Sequence, residues 1–106
     1  MTERDRLIAK ELKGKIAQIA PLVDFRVFGS RARGDADEDS DLDVFIELET
    51  TDRELESKIS NAVWEVGINN GCIVISPLVF SRYEIEESPL RVSPIVKAIT
   101  EEGVRI

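Results

Sequence analysis

Residues 41–48 read Asp-Leu-Asp-Val-Phe-Ile-Glu-Leu, and no other stretch leaves the chain so few ways to fold. Leu42, Val44, Ile46 and Leu48 alternate with Asp41, Asp43, Phe45 and Glu47. That period of two belongs to a strand with one buried face. On such a strand Asp41 and Asp43 share a face, with Cα atoms roughly 6–7 Å apart. Aspartate is a poor strand former, and two on one face repel each other. A broken local rule of this kind often marks function. A divalent cation such as Mg²⁺ would remove the repulsion while needing only one or two protein carboxylates. The plainer alternative places both aspartates on the solvent face of an edge strand.

Upstream, Phe25–Phe28 reads as a short strand ending at Gly29. Glycine there permits a sharp turn and lets a ligand approach the main chain. Ser30 then heads one helical turn over residues 30–33, whose free N–H groups suit an anion, with the serine hydroxyl as a further donor. Arg31 and Arg33 add positive charge suited to phosphate oxygens. Gly29, Ser30, Arg31 and Arg33 are therefore the candidate nucleotide- and phosphate-binding residues. Asp41 and Asp43 are the candidate catalytic and metal-binding ones. A Gly-Ser dipeptide alone says little, since such pairs mark many ordinary loops; its weight comes from the aspartates that follow.

The remaining elements fit around these two strands. Ile8, Leu12, Ile16 and Ile19 predict an amphipathic helix over residues 4–20, stopped by Pro21. Thr51-Asp52-Arg53-Glu54 has the form of a capping box with Thr51 as N-cap. The helix it opens buries Leu55, Ile59, Ala62, Val63 and Val66 and ends near Asn69-Asn70-Gly71. Cys72–Ile75 reads as a strand buried on both faces, which Ser76-Pro77 either ends or turns into an edge; Val79-Phe80 can extend it. Residues 82–92 read as polar and irregular. Ser93-Pro94 starts a last helix, and residues 104–106 form a tail or a short strand. The fold class is α/β (α+β): a small mixed sheet with helices on one face, in one domain over residues 1–106.

Composition removes whole classes of chemistry. The chain has no histidine and one cysteine, Cys72. Histidine-based catalysis, an intrachain disulfide framework and a cysteine-cluster zinc site are therefore excluded for this chain. No segment has the length and apolarity of a membrane span, and the charged start Met1–Arg6 is unlike a signal peptide; the expected location is the cytoplasm. Residues 35–54 hold ten acids, Glu38 among them, against one base, so this segment carries −9 and the rest of the chain +2. Such a field attracts cations and repels bare nucleic acid. The bases of the first helix lie among Glu3, Asp5 and Glu11 and read as a solvated face. Cys72 reads as a small buried strand residue, Trp64 as core or an interface anchor, and Tyr83 as a surface tyrosine.

The run Gly29-Ser-Arg-Ala-Arg-Gly34 followed by Ser40-Asp-Leu-Asp-Val-Phe-Ile46 resembles the minimal nucleotidyltransferase (MNT) family of the DNA polymerase β-like superfamily. The resemblance covers nearly the whole chain, with its specificity in residues 29–46. It implies the polymerase β-like nucleotidyltransferase fold, ATP as substrate, and two Mg²⁺ ions held by Asp41 and Asp43. Gly29 and Ser30 would form the triphosphate-binding turn, while Arg31 and Arg33 would touch phosphates or fix the loop. The family implies a separate helical HEPN-type partner, a toxin, to which AMP is transferred, with this chain as its antitoxin in a homo- or hetero-oligomer. No direct nucleic-acid partner and no membrane are expected.

One feature of the superfamily is missing from the sequence. A third carboxylate usually lies on the next strand, where this chain reads Cys72-Ile-Val-Ile-Ser-Pro77. Metal-bound hydroxide, or an acid from elsewhere such as Glu84, Glu86 or Glu87, would then serve as base. Otherwise the chain is a catalytically impaired nucleotide-binding module that neutralises its partner by steric binding. A stretch of 106 residues is not expected to enclose both a nucleotide and a large acceptor, so the acceptor or its binding surface is expected to come from a partner.

Overall fold

The computed structural model describes residues 1–37 and 39–106; Glu38, counted above with the acidic loop, lies outside the described residues. The first helix, α1, spans Glu3–Ile19 and opens on a capping box: the Thr2 hydroxyl accepts from the Asp5 N–H at 3.0 Å, and the Asp5 carboxylate accepts from the Thr2 N–H at 3.4 Å. Its apolar stripe, Ile8, Leu12 and Ile16, is buried.

Strand β1, Leu22–Phe28, starts three residues before the expected Phe25, because its early residues find a ladder partner at Leu48. The helical turn α2, Gly29–Arg33, follows at once and is closed by Gly34 at φ 86°. Strand β2, Leu42–Leu48, runs back antiparallel to β1, with Phe28 opposite Asp43. Helix α3, Arg53–Asn69, crosses to strand β3, Ile75–Ser81, which lies parallel to β2. Then come α4, Arg82–Glu86, a 3₁₀ turn at Pro89–Val92, α5, Pro94–Glu102, and β4, Val104–Arg105, which pairs antiparallel with β1. The strand order is β3-β2-β1-β4, the mixed sheet expected.

The two long helices cover one face. Leu42, Val44, Ile46 and Leu48, all fully buried, meet Ile8, Leu12 and Ile16 of α1 and Ile59, Val63 and Val66 of α3. The opposite face is covered too, by the short C-terminal elements: Val96 and Ile99 of α5 are buried, and the Arg26 guanidinium of β1 donates to the Thr100 carbonyl at 2.9 Å. Phe45 is therefore fully buried and packs on Phe80 with ring centroids 5.8 Å apart. Glu47 is buried as well, and burial, then the charges of Asp24 and Glu86, push its carboxyl above the usual range.

Three local expectations change. Helix α3 is capped by Asp52, whose carboxylate accepts from the Leu55 N–H at 2.8 Å, and not by Thr51; both residue types can cap, and the register of the helix decides. The third strand begins at Ile75. Residues before it form its approach: Cys72 is exposed with a left-handed φ of 60°, and Val74 is 59% exposed. Pro77 sits inside β3 without breaking it because β3 is an edge strand, where a missing N–H can face solvent. Residues 82–92, read as irregular, hold α4 and the 3₁₀ turn.

Replacing Asp52 with alanine removes the cap while leaving the core untouched. The expected loss is about 1 kcal/mol of stability, read as a lower thermal midpoint with unchanged far-UV circular dichroism at room temperature.

Candidate functional site

The antiparallel pairing of β1 and β2 brings the two halves of the motif together. Phe28, the last residue of β1, lies opposite Asp43, so the turn at Gly29 and the aspartates meet at one end of the sheet. The loop between them is tied at its end by Ser40, whose hydroxyl donates to the Asp37 carboxylate at 3.2 Å and whose N–H donates to the Asp37 carbonyl at 3.3 Å. Asp41 follows, and the Leu42 N–H donates to the Val74 carbonyl at 2.9 Å, seating the start of β2 against the approach to β3.

Gly29 has φ 76°, the left-handed region, and a Cβ built on it would collide with Asp43 Oδ2. Glycine is thus required twice: for the turn, and for the approach of the carboxylate to the main chain. Asp43 itself is half-buried, whereas Asp41 is exposed. Burial first, then the negative charge of Asp41, push the Asp43 carboxyl above its ordinary range, and Arg33 partly offsets them. The two carboxylates therefore repel each other at this end of the sheet.

The arginines of α2 separate in space. Arg33 is exposed, lies 3.3 Å from Asp35, and acts electrostatically on Asp43. Arg31 is buried, with Nη1 2.8 Å from Asp5 Oδ1 and Nε donating to the Ser40 carbonyl at 2.9 Å. Those two bonds hold the loop in place. Asp5, read from sequence as part of a solvated face, is 3% exposed. Its role was invisible because the partner lies 26 positions away. Beside the turn, Phe28, Ala32, Arg33 and Ile99 border a cavity of about 240 Å³.

The position next to the pair on β3 is Ser76, opposite Asp43 in the ladder, with its hydroxyl donating to Asp41 Oδ2 at 3.2 Å. Glu84, Glu86 and Glu87 do not reach the site. They follow the far end of β3, where Ser81 pairs with Leu48, some 16 Å from Ser76 at about 3.3 Å per residue. There Ser81 caps α4, Glu84 completes the capping box by accepting from the Ser81 N–H at 3.1 Å, and Glu86 pairs with Arg82. Among the described residues, no three or more His, Cys, Asp or Glu side chains form a metal-binding group.

The donor set still fits a hard divalent cation. Both candidate ligands are carboxylates, they repel each other, and one is pushed toward protonation by burial first and then by that repulsion. Mg²⁺ accepts one or two protein carboxylates when phosphates complete its shell. Trp64 is 70% exposed and so is not a core residue; Tyr83 is also exposed. No helix among the described residues is long and apolar enough to cross a membrane.

A glycine turn after one strand, a carboxylate pair at the start of the next and a parallel third strand are the arrangement expected of a nucleotidyltransferase. Residues 9–106 match the nucleotidyltransferase domain family, and the chain belongs to it. The fold is similar to the solved structure of a proposed minimal nucleotidyltransferase, with a TM-score of 0.63 and 24% identity over 95% of this chain and 91% of that one. No curated protein sequence matches the chain significantly.

Proposed function

We propose that this chain is a Mg²⁺-dependent adenylyltransferase that moves AMP from ATP onto a hydroxyl of a HEPN-type partner protein and thereby acts as its antitoxin. The observation that carries the reading is the meeting of Gly29 with Asp43 at one sheet end, beside Asp41. Asp41 and Asp43 would hold the cation; Gly29 and Ser30 would take the triphosphate, with Arg33 adding positive charge at the edge. Bound there, Mg²⁺ would neutralise phosphate charge and favour in-line displacement at the α-phosphorus. In that displacement the acceptor oxygen bonds to the α-phosphorus as the bond to the bridging oxygen breaks. Pyrophosphate leaves, and the acceptor proton passes to solvent. The exposure of Asp41 supports an acceptor as large as a protein.

A specific observation favours a second reading. Ser76 stands beside Asp41 where a third carboxylate would complete the site, and a serine cannot act as a base of carboxylate strength. A module that binds nucleotide, and neutralises its partner sterically, needs no base.

One experiment separates the two. The chain, its partner and ATP labelled at the α-phosphate are incubated with Mg²⁺ or with excess EDTA. Transfer of label that EDTA abolishes supports the first reading. Absence of label with Mg²⁺, together with inhibition of the partner that persists in EDTA, overturns it in favour of the second.

A further inference from the structure

We propose that Asp5 is a positioning residue for the carboxylate pair, acting through Arg31. The proposal rests on the reading of Asp41 and Asp43 as a cation clamp. Asp5 lies ahead of residues 9–106, the part of the chain that matches the family. It is held on two sides: its N–H donates to the Thr2 hydroxyl at 3.0 Å, and its Oδ2 accepts from the Thr2 N–H at 3.4 Å. Its remaining oxygen, Oδ1, meets Arg31 Nη1 at 2.8 Å.

Both charges of this pair are buried, at 3% and 7% exposure. A buried ion pair is a weak source of stability, because desolvation consumes most of the attraction. Its distinctive property is geometric. A guanidinium is a rigid planar fork, so fixing one nitrogen fixes the direction of the others. With Nη1 set by Asp5, Nε points at the Ser40 carbonyl and holds it at 2.9 Å. Ser40 immediately precedes Asp41, and Arg31 immediately follows Ser30. One planar group thus sets the phosphate turn against the start of the aspartate strand, and the N-terminus of α1 sets that group. Groups that orient metal ligands in this way typically govern affinity as strongly as they govern shape.

The test is titration of Mn²⁺ alone, followed by electron paramagnetic resonance, into wild type, Asp5→Asn and the mild core variant Ile16→Val. Asp5→Asn, shown folded by circular dichroism, is expected to bind about 10- to 100-fold more weakly, with Ile16→Val binding as wild type does. Wild-type affinity in folded Asp5→Asn overturns the proposal. Should Asp5→Asn fail to fold, Arg31→Lys replaces it: the positive charge facing Asp5 is kept, but a single ammonium cannot also hold Ser40 in the same geometry. The same weakening is expected, and unchanged affinity overturns. If wild type binds Mn²⁺ no better than Asp41→Ala, the cation reading itself has failed. Backbone amide exchange at residues 40–43 then decides. Faster exchange in the Asp5 or Arg31 variant than in Ile16→Val supports positioning, and equal exchange overturns it.

Discussion

Gly29→Ala is expected to lower label transfer by about 100-fold and to destabilise the protein at the same time. Two separate costs combine. A left-handed φ of 76° costs a residue with a Cβ roughly 1–2 kcal/mol. The new methyl also collides with Asp43 Oδ2, so the turn or the carboxylate must move. A displacement of about 1 Å in a reacting constellation typically costs on the order of 100-fold in rate. At this chain length, 1–2 kcal/mol lowers the thermal midpoint by roughly 4–16 °C. Gly14→Ala is the control: it lies inside α1, has nothing within 4 Å of the added Cβ, and is expected to raise stability by up to about 1 kcal/mol without changing transfer. A Gly29→Ala protein that transfers label at the wild-type rate would show that the turn and the carboxylate are not one site.

What the sequence made legible was the part of the site written in local patterns. Period-two alternation over residues 41–48 placed both aspartates near the start of a strand, and the glycine after Phe28 placed the turn. Antiparallel pairing then had to bring them together. What stayed hidden was decided by tertiary contact. Asp5 reads as part of a solvated face and Arg31 as a residue for phosphates or for fixing the loop, until the fold buries both against each other. Phe45 and Glu47 read as the outward face of a half-buried strand, but α5 and its neighbours, whose packing no local pattern specifies, cover that face. The apolar run Cys72–Ile75 has strand composition, yet its first residue sits in a left-handed turn after Gly71 and the ladder starts only at Ile75. The acids after β3 were plausible partners for the site by composition alone. The parallel register of β3 carries them to the opposite end of the sheet.

Asp43→Asn should move activity and stability in opposite directions. Asparagine keeps the shape of the side chain but removes the charge that a bound cation needs. Cation-dependent stabilisation of phosphoryl transfer is worth several kcal/mol, and at about 1.4 kcal/mol per tenfold its loss corresponds to about three orders of magnitude in label transfer. In the cation-free protein, however, the Asp43 charge is a burden. Burial and Asp41 raise its pKa on folding, so between its ordinary value and its raised value the folded state binds more protons than the unfolded one. By linkage, this group's contribution to stability falls as pH rises through that window and stays unfavourable above it. The substitution removes that burden. Without divalent cations, Asp43→Asn should melt above wild type at neutral pH, and the difference should vanish as the pH is lowered below the window. Saturating Mg²⁺ and ATP should raise the wild-type midpoint and leave the variant unchanged, because only a ligand that binds the folded state stabilises it. A variant that melts below wild type in EDTA at neutral pH would mean that the Asp43 carboxylate supports the fold instead of straining it. The pair would then be a structural element of the strand end and not a site held ready for a cation.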